Sequence, residues 1–461
     1  MREESDSMGS VRVPEWALWG AGTERARSNF PKSGRIVPIE IVHAMGSVKS
    51  ACARVNSDLG RLDPKLAELI VTASVEVASG KHDAHFLLDV FQTGSGTSTN
   101  MNVNEVISNR ANELAGFARG SKRPVHPNDH VYLGQSRNDV FRSALHVAAL
   151  LHAKSKLFPE LDRLEKALAA KAESWMDAVK PGRTHLMDAT PVRMGQVFSG
   201  YAAQIRLGIE RGASSLEGLQ HLAIGGSAVG TGINTHPEFG RRVSDELSRT
   251  LGMEFFEADN HFEAQGAKDA LLHHSGALRT VAVSLSRIAS DIRLMGSGPN
   301  CGFGELILPE IQPGSSIMPG KVNPVISEAV IQMSIRILAN DLAVSLSDFG
   351  GVGSILELNV AMPLLGDAVL ESSRLLSESS RILSENLLPG LEVDKKRCER
   401  LAGLSMMAAT RLAPYIGYDE ASKVVRRAQN EGLTIREAAS GLLSDDRLDE
   451  ILDPGSMVGG K

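Results

Sequence analysis

The sequence predicts an all-α protein whose centre is a bundle of long helices, for two reasons. Apolar residues recur at helical rather than strand spacing, four, three, four and three residues apart, at Val281, Leu285, Ile288, Ile292 and Met295. Aromatic residues make up only 4% of the 461 residues, and a chain rich in Ala, Leu and Ser lets helix axes approach closely. We therefore assign nearly all of these apolar positions to the core.

The same spacing predicts two more long helices. One carries Ile326, Val330, Met333 and Ile337. The other carries Val140, Ala144, Val147, Leu151, Phe158, Leu161, Leu164 and Leu168. Pro159 falls inside this second pattern, and because proline lacks an amide hydrogen we expect a kink or a break there.

Chain length and the positions of Gly/Pro segments predict three domains. A chain of 461 residues is long enough for about three. Residues 1–134 mix short helices with Gly/Pro loops, residues 135–389 form the central bundle, and residues 390–461 form a small helical domain after Pro389-Gly390. Helix faces with such a regular apolar pattern can pack against another subunit as well as within one chain. We therefore expect a homo-oligomer.

Composition excludes several classes of protein. A net charge of -6, with 23% charged residues in mixed order, argues against a nucleic-acid or membrane partner. Cys52, Cys301 and Cys398 lie far apart, so neither a disulfide framework nor a zinc site is predicted. The start, MREESDSMGS, has no apolar signal region, and no run of about eighteen apolar residues occurs in the chain. We expect a cytoplasmic protein.

The segment with the clearest chemical signal is residues 314–324, Gly-Ser-Ser-Ile-Met-Pro-Gly-Lys-Val-Asn-Pro. Glycines allow backbone amides to point at a bound oxyanion, Lys321 adds a positive charge, and Ser315 and Ser316 are able to move protons. This segment, which we call the serine loop, is predicted to bind a small anion.

The serine loop does not match two common loops of similar composition. A nucleotide phosphate loop needs four residues between its glycines and a hydroxyl after the lysine, but five residues separate Gly314 from Gly320 and Val322 follows Lys321. A nucleophile elbow needs a Gly-x-Ser-x-Gly frame, which Ser315 and Ser316 lack. An ordinary Gly/Pro surface loop remains an alternative.

Two further polar segments lie in the first 140 residues. Residues 92–100 read Gln-Thr-Gly-Ser-Gly-Thr-Ser-Thr-Asn, and their hydroxyls suit an anionic ligand, although they also suit a cap before a helix from about Asn104. In residues 134–139, Ser136, Arg137 and Asn138 can each donate to a carboxylate, the arginine with two parallel bonds. The alternative for this segment is a turn followed by a helix cap, and His126 to Asp129 have the composition of a common turn.

A last polar segment, residues 182–191, places Thr184 and His185 between Pro181 and Pro191. The prolines predict a rigid loop, on which a histidine is able to act as an acid or a base. A lone histidine with a structural role is the alternative. Glu328 extends the set, because it lies on the helix that follows the serine loop.

Together these four segments resemble the signature segments of class II fumarase, the iron-independent branch of the aspartase/fumarase superfamily. The resemblance covers essentially the whole chain and includes Gly225 to Gly232 and Glu357-Leu358-Asn359. The serine loop by itself indicates the superfamily, whereas Thr-His-Leu-Met-Asp-Ala-Thr-Pro and Thr-Gly-Ser-Gly-Thr favour the fumarase branch.

The resemblance implies an all-α, three-domain fold in which the central bundles of four subunits form a tetrameric core. It implies active sites shared by three subunits, with Ser95–Thr97 and Ser136–Asn138 from one, Thr184 and His185 from another, and Ser315–Asn323 from a third. The substrate would be fumarate or malate, with no metal or organic cofactor. The residues that it implies for substrate binding are Ser95, Gly96, Thr97, Ser136, Arg137, Asn138, Thr184, Ser316, Val322 and Asn323.

The resemblance also implies catalytic roles. Ser315 would be the base that takes a carbon proton, Lys321 would stabilise the charge that develops, and His185, held by Glu328, would exchange a proton with the hydroxyl or water. It further implies a second anion site near the entrance, made by His126, Pro127, Asn128 and Asp129.

Two departures from the fumarase pattern leave other lyases open. The family generally has Ser-Gln-Ser-Ser-Asn-Asp where this chain has Gly134-Gln-Ser-Arg-Asn-Asp139, and Arg137 resembles argininosuccinate lyase at this position. Residues 350–356 lack the phenylalanine usual before Glu-Leu-Asn, so substrate access would differ. Aspartase, which uses the same serine loop, is the rival enzyme, and a crystallin-like structural protein is the rival without catalysis.

Overall fold

The computed structural model describes residues 1–459, which are 61% helix and 9% strand. Strands in this part of the chain pair only two at a time, in five small sheets. Sheets of two strands are marginal by themselves, so the core depends on the helices. The predicted all-α class is confirmed.

Four long helices carry much of the periodic apolar pattern. Their bounds are Met194–Ser215, Asp269–Met295, Val325–Asp348 and Met362–Ile382. The helices predicted at 281–295 and 326–337 are therefore confirmed, and all five apolar residues of the first pattern are buried. The chain divides into two compact units, and each of these four helices has residues in both.

The first unit comprises residues 1–158, 210–280 and 335–376. Its core includes Trp19, Met45, Phe141 and Phe239, none of which has exposed surface. Its shorter helices are Ala21–Asn29, Ile39–Asp58, Pro64–Ala78, Thr97–Leu114, Arg137–His152, Phe239–Leu251 and His261–Gly266, with 3₁₀ turns at Asp83–His85 and Glu217–Gln220 and π-helical turns at Pro127–Val131 and Ala153–Leu157. Its paired strands are Arg2–Asp6 with Gly9–Val13, Ser354–Ile355 with Leu358–Asn359, and the parallel pair His221–Leu222 with Phe256–Glu257.

The second unit comprises residues 159–209, 281–334 and 377–461. Apolar residues of its last helices, among them Leu412, Ala428 and Leu448, form a separate core. Its antiparallel strand pairs are Val179–Thr184 with Met187–Arg193 and Leu306–Ile307 with Glu392–Val393. Its helices are Phe158–Ser174, Lys395–Leu404, Ala413–Ile416, Tyr418–Glu431, Ile435–Ala438, Asp445–Leu452 and Pro454–Met457, with a π-helical turn at Leu383–Leu387 and a 3₁₀ helix at Met406–Arg411.

The helical pattern from Val140 to Leu168 is interrupted, as Pro159 predicts. The helix Arg137–His152 passes into the π-helical turn Ala153–Leu157, and a new α-helix begins at Phe158. Because Pro159 has no amide hydrogen, it fits at the start of an α-helix, and the wider turn before it accommodates the lost hydrogen bond. The predicted kink or break is confirmed.

Two predictions for the N-terminal part are wrong. Its helices are not all short, because Ile39–Asp58 has 20 residues and Thr97–Leu114 has 18. The helix expected from about Asn104 begins at Thr97, so hydroxyl residues assigned to a preceding cap lie in its first turn. Ser and Thr favour caps over helix interiors, and here tertiary packing overrides that preference. The division into three domains at residues 134 and 389 stays a prediction.

Among the described helices, Val325–Asp348 passes a test of length and apolarity for crossing a membrane, with 33% of its apolar window buried. Arg336 and Asp341 interrupt its apolar sequence, and they pair with Glu371 and Arg279, each at 2.8 Å. Arg336 and Asp341 therefore give this apolar helix two charged positions.

Burial of His274 predicts a loss of stability in acid. The side chain has no exposed surface, its Nδ1 lies 2.8 Å from Ser215 Oγ, and burial lowers its pKa to about 4. The unfolded chain takes up this proton near pH 6.5, whereas the folded chain does not until about pH 4. The contribution to the free energy of unfolding is complete above pH 6.5 and falls by about 3 kcal/mol as the pH drops to 4.

We expect His274→Gln to flatten the dependence of the urea unfolding midpoint on pH between 6.5 and 4. The matched control is His221→Gln at an exposed histidine, which should keep the wild-type slope. An unchanged slope in His274→Gln would contradict the assignment.

Candidate active site

The serine loop is closed by a hydrogen bond between its ends. Asn323 Nδ2 donates to the carbonyl oxygen of Gly314 at 2.6 Å. A Cβ atom on Gly314 would lie 2.1 Å from the Lys321 carbonyl oxygen, so only glycine fits at this crossing. The loop is thus a nearly closed ring that leads directly into the helix Val325–Asp348.

Two backbone amides converge on the Ser315 hydroxyl within this ring. The amides of Ile317 and Met318 donate to Ser315 Oγ at 3.3 and 3.2 Å. This is the geometry of a serine turn. Because both dipoles place their positive ends at Oγ, they stabilise the oxygen as an anion more than as a neutral hydroxyl.

Two cavities adjoin the serine loop in the second unit. One, of 530 Å³, is lined by Gly314, Ser315 and Lys321, and the other, of 520 Å³, is lined by Lys321, Asn323 and Glu328. Lys321 and Val322 line both. Ser315 therefore lines one cavity and Asn323 and Glu328 line the other, with Lys321 and Val322 common to both. Ser316 lies on the same loop with its side chain exposed.

His185 lies at the tip of the strand pair Val179–Thr184 and Met187–Arg193. Thr184 pairs with Met187, so His185 and Leu186 form a two-residue connection, and both have positive φ, 56° and 62°. This is the φ pattern of a type I′ turn, whose usual residues are Asn and Gly. His185 is exposed, and within residues 1–459 of one chain no hydrogen bond joins it to Ser315 or Glu328.

Ser95, Gly96 and Thr97 form the start of the helix Thr97–Leu114 in the first unit. Gly96 is the residue before the helix and has a left-handed backbone, φ 76°. A Cβ on Gly96 would lie 2.5 Å from the ring of Phe141, so this segment packs directly against the helix that follows Ser136. The two anion-binding segments predicted in this unit are therefore neighbours.

Ser136 begins the helix Arg137–His152 with a capping box. Its hydroxyl accepts from the Asn138 amide at 3.3 Å, and its own amide donates to Asp139 Oδ1 at 2.8 Å. The Arg137 amide donates to Tyr132 Oη at 2.5 Å. Because these amides are engaged internally, side chains remain to bind a ligand here. The guanidinium of Arg137 makes no hydrogen bond within the described residues.

The capping carboxylate also holds a second loop. Asp139 has no exposed surface, and its Oδ2 accepts from the amides of Ser227 and Gly225 at 2.9 and 3.3 Å. Burial raises the pKa of Asp139, which its three amide donors oppose, and burial lowers the pKa of Lys49, which lies nearby. Asp139 was not among the predicted site residues, although Ser136-x-x-Asp139 is a recognisable capping pattern.

His126 to Asp129 form a local turn. His126 Nδ1 accepts from the amides of Asn128 and Asp129 at 3.3 and 3.2 Å, which begins the π-helical turn Pro127–Val131. Burial lowers the pKa of His126. His126, Pro127 and Asn128 line a cavity of 350 Å³ that Glu4, Asp6, Glu105 and Lys122 also line. The composition predicted this turn, and the second anion site stays a prediction.

Comparison with known proteins agrees with the resemblance. Residues 9–339 match the family model described as lyase, and residues 409–459 match the model of the fumarase C C-terminus. Fumarate hydratase class II of Corynebacterium glutamicum is 52% identical over 465 residues, covering 99% of this chain and 96% of the relative. The enzyme of the same name from Nitrosomonas europaea is 48% identical over 459 residues, covering 99% of each chain.

The fold agrees equally well. The crystal structure of recombinant class II fumarase from Schistosoma mansoni matches with a TM-score of 0.96 at 38% identity, covering 99% of this chain and 98% of that one. The fold and the serine loop together define a lyase of the aspartase/fumarase type, as predicted. More particularly, the chain belongs to the class II fumarate hydratase family.

The closed serine loop leads to a prediction for Gly314→Ala. The added Cβ must displace the Lys321 carbonyl, which opens the ring and moves Ser315. We expect fumarate hydration to fall by at least about tenfold, since small misplacements of reacting groups are costly. The thermal midpoint should change little, because the loop is largely exposed.

The matched control is Gly403→Ala, at a helical glycine where an added Cβ meets no atom within 4 Å. It should keep full activity. Wild-type activity in Gly314→Ala would show that the ring need not be closed.

Proposed function

We propose that the chain is a fumarate hydratase that interconverts fumarate and (S)-malate, as in the tricarboxylic acid cycle. The observation that carries the proposal is the pair of backbone amides directed at Ser315 Oγ, in a cavity that Lys321 also lines. The names of the relatives, fumarate hydratase class II, support it.

The difficult step is removal of a proton from the carbon next to a carboxylate. Ser315 acts as an alkoxide and takes this proton, and the electron pair of the C–H bond flows into the carboxylate to give an aci-carboxylate. A serine is a poor base unless its anion is stabilised, which the amides of Ile317 and Met318 do. Lys321 and Asn323 stabilise the two negative oxygens, and one such preorganised donor is typically worth ~3 kcal/mol.

The second step is loss of the hydroxyl group from the neighbouring carbon. His185 donates a proton to the departing oxygen, which leaves as water while the carbon–carbon double bond forms, and Glu328 orients the imidazole. In the hydration direction His185 takes a proton from the attacking water. General acid–base assistance of this kind contributes roughly 10²- to 10⁴-fold.

The substrate carboxylates are held by uncharged donors and by Arg137. Ser95, Gly96 and Thr97 lie at one helix start, and Ser136 and Asn138 lie at the start of the helix packed against it. Thr184, Ser316, Val322 and Asn323 complete the set. The guanidinium of Arg137 adds a charged, two-pronged donor, so this site should hold dicarboxylates tightly.

We propose that four chains assemble and that three of them contribute to each active site. Helix Val325–Asp348 buries Val330, Ile337 and Val344 in its own chain. Its other apolar face is exposed, with Ile335 at 64% and Leu342 at 60%. A long, exposed apolar face on a protein with many charged residues is typical of a subunit interface. The residues that form this face are Ile335, Leu338, Leu342 and Leu346, and the exposed Phe349 directly follows the helix.

Sharing of the site between subunits also fits the exposure of the catalytic loops. Leu186 and Met187 beside His185 are each 70% exposed, and Ile317 in the serine loop is 84% exposed. Apolar side chains at such positions favour contact with other chains. The proposal includes the three-domain division at residues 134 and 389, the second anion site at His126–Asp129 and a cytoplasmic location, and it requires no metal or organic cofactor.

The proposed activity predicts that the purified protein consumes fumarate without ammonium, followed as loss of absorbance of the conjugated double bond. Ser315→Ala should abolish the reaction because its hydroxyl is the group that takes the carbon proton. Ser316→Ala, at the adjacent exposed hydroxyl, is the matched control and should retain chemistry with weaker substrate binding.

Two results would contradict the proposal. Consumption only with ammonium would identify an aspartase, and no consumption under either condition would point to a larger substrate at Arg137. Activity retained in Ser315→Ala would remove that residue as the base.

The proposed assembly predicts that Leu342→Arg breaks the tetramer, because it places a charge in the centre of the apolar face. Light scattering should show a mass below four chains, and fumarate hydration should be lost. Leu404→Arg is the matched control, at a leucine that is 58% exposed on another helix, and should stay tetrameric and active. A tetrameric Leu342→Arg variant would place the interface elsewhere.

A further inference from the structure

A buried cluster of charges lies next to the strand that leads to His185. Glu305 has no exposed surface, yet its carboxylate lies 2.7 Å from Arg183 Nη1 and 3.2 Å from Lys180 Nζ. Lys180 is itself buried, and burial lowers its pKa, which the Glu305 charge opposes. Buried ions are costly and contribute little net stability compared with apolar packing. Stability by itself therefore does not account for the cluster.

The strand that carries both cations pairs with an irregular partner strand. Residues three apart in a regular strand point to opposite faces, yet Lys180 and Arg183 both reach Glu305. Pro181 pairs with Pro191 and Arg183 pairs with Asp188, so the extra residue of this β-bulge lies on the partner strand, at Ala189 or Thr190. A Cβ on Gly182 would lie 2.4 Å from the Thr190 carbonyl oxygen, so only glycine fits opposite the bulge.

Glu305 is held firmly by its own surroundings. Its amide donates to the carbonyl of Met295 at 2.9 Å, and its carbonyl accepts from the amide of Asp394 at 3.1 Å. The Arg183 guanidinium also lies over the ring of Phe303, 4.1 Å from its centroid. The side chain of Arg183 thus fixes its strand to Glu305, whose own backbone is held by hydrogen bonds.

What this anchor supports is the turn at His185. His185 follows Arg183 by two residues, and it shares with Leu186 a left-handed backbone that side chains rarely adopt. Such a conformation persists only when the surrounding structure determines it. His185 and Leu186 are both exposed within their own chain, so packing of side chains from the same subunit does not hold the tip in place. Within the chain, the support comes from the strands on either side of the turn.

We propose that Glu305 is a positioning residue for His185: through Arg183 and Lys180 it fixes the strand that leads to His185 and thereby the direction of the imidazole. The proposal rests on the proposed function, in which His185 exchanges the proton with the hydroxyl. Glu305 touches neither substrate nor the reacting atoms, so its effect on the reaction passes through His185.

The first test is a double-mutant cycle in the assembled enzyme. Glu305→Gln should lower kcat for malate dehydration by roughly 10- to 100-fold with KM changed less than about threefold, since carboxylate-binding groups are untouched. In a His185→Asn background, the same change should lower kcat less than about twofold, because the residue that it positions is gone. Equal losses in both backgrounds would mean a general structural role and would overturn the proposal.

A second variant tests whether Glu305→Gln lowers kcat only because it destabilises the fold. Glu305→Gln leaves the buried Lys180 and the partly buried Arg183 with a neutral partner, so Lys180→Met/Glu305→Gln removes the buried cation. This pair should recover the thermal midpoint without recovering kcat, whereas recovery of both would overturn the proposal. Asp367→Asn, at a buried carboxylate paired with Arg35 in the first unit, is the matched control and should leave kcat unchanged.

A readout independent of activity separates this proposal from the proposed function. Amide hydrogen exchange at 184–187 should be faster in Glu305→Gln than in the wild type and unchanged in Asp367→Asn. If His185→Asn keeps full activity, the acid assigned under the proposed function is wrong. Amide hydrogen exchange at 184–187 then tests by itself whether Glu305 positions His185. Unchanged exchange at 184–187 would overturn it.

Discussion

Helix N-termini are the physical constraint on which the candidate site depends. The first residues of an α-helix carry amide donors without partners inside the helix and a partial positive charge. An α-helix begins within or directly after three of the four polar segments, at Thr97, Arg137 and Val325. Anions are favoured at such positions without any cationic cofactor. A chain with net charge -6 is therefore able to build a dicarboxylate site from local geometry and two cationic side chains.

Two of these helix starts are also fixed by side-chain hydrogen bonds within the chain. Asp139 occupies the Ser136 amide and ties this start to the loop at Gly225–Ser227. Asn323 closes the serine loop before Val325 in a similar way. In both places an internal hydrogen bond fixes the backbone, which leaves particular side chains directed outward. Preorganisation of this kind lowers the cost of stabilising charge when it develops.

Most of the fold class was predictable from the sequence, whereas the roles of the chemistry-bearing residues stay predictions. The 3.6-residue periodicity identified the helices at 281–295 and 326–337 because burial selects apolar residues on one face. Residue types in the serine loop indicated oxyanion chemistry. Helix starts were less predictable, since the hydroxyl-rich segment before Asn104 has the composition of a cap and lies instead within the helix from Thr97. Local preference and tertiary packing disagree there.

The sequence by itself determined the helical class, the polar segments and the family resemblance, because periodicity and residue chemistry are properties of neighbouring residues. Only the tertiary structure decided that Gly96 packs on Phe141 and that Glu305 meets Arg183. Glu305 lies 122 residues from Arg183 in the chain, and no local pattern marks either as a partner. Such contacts depend on how distant segments share one buried volume, which only the packed chain specifies.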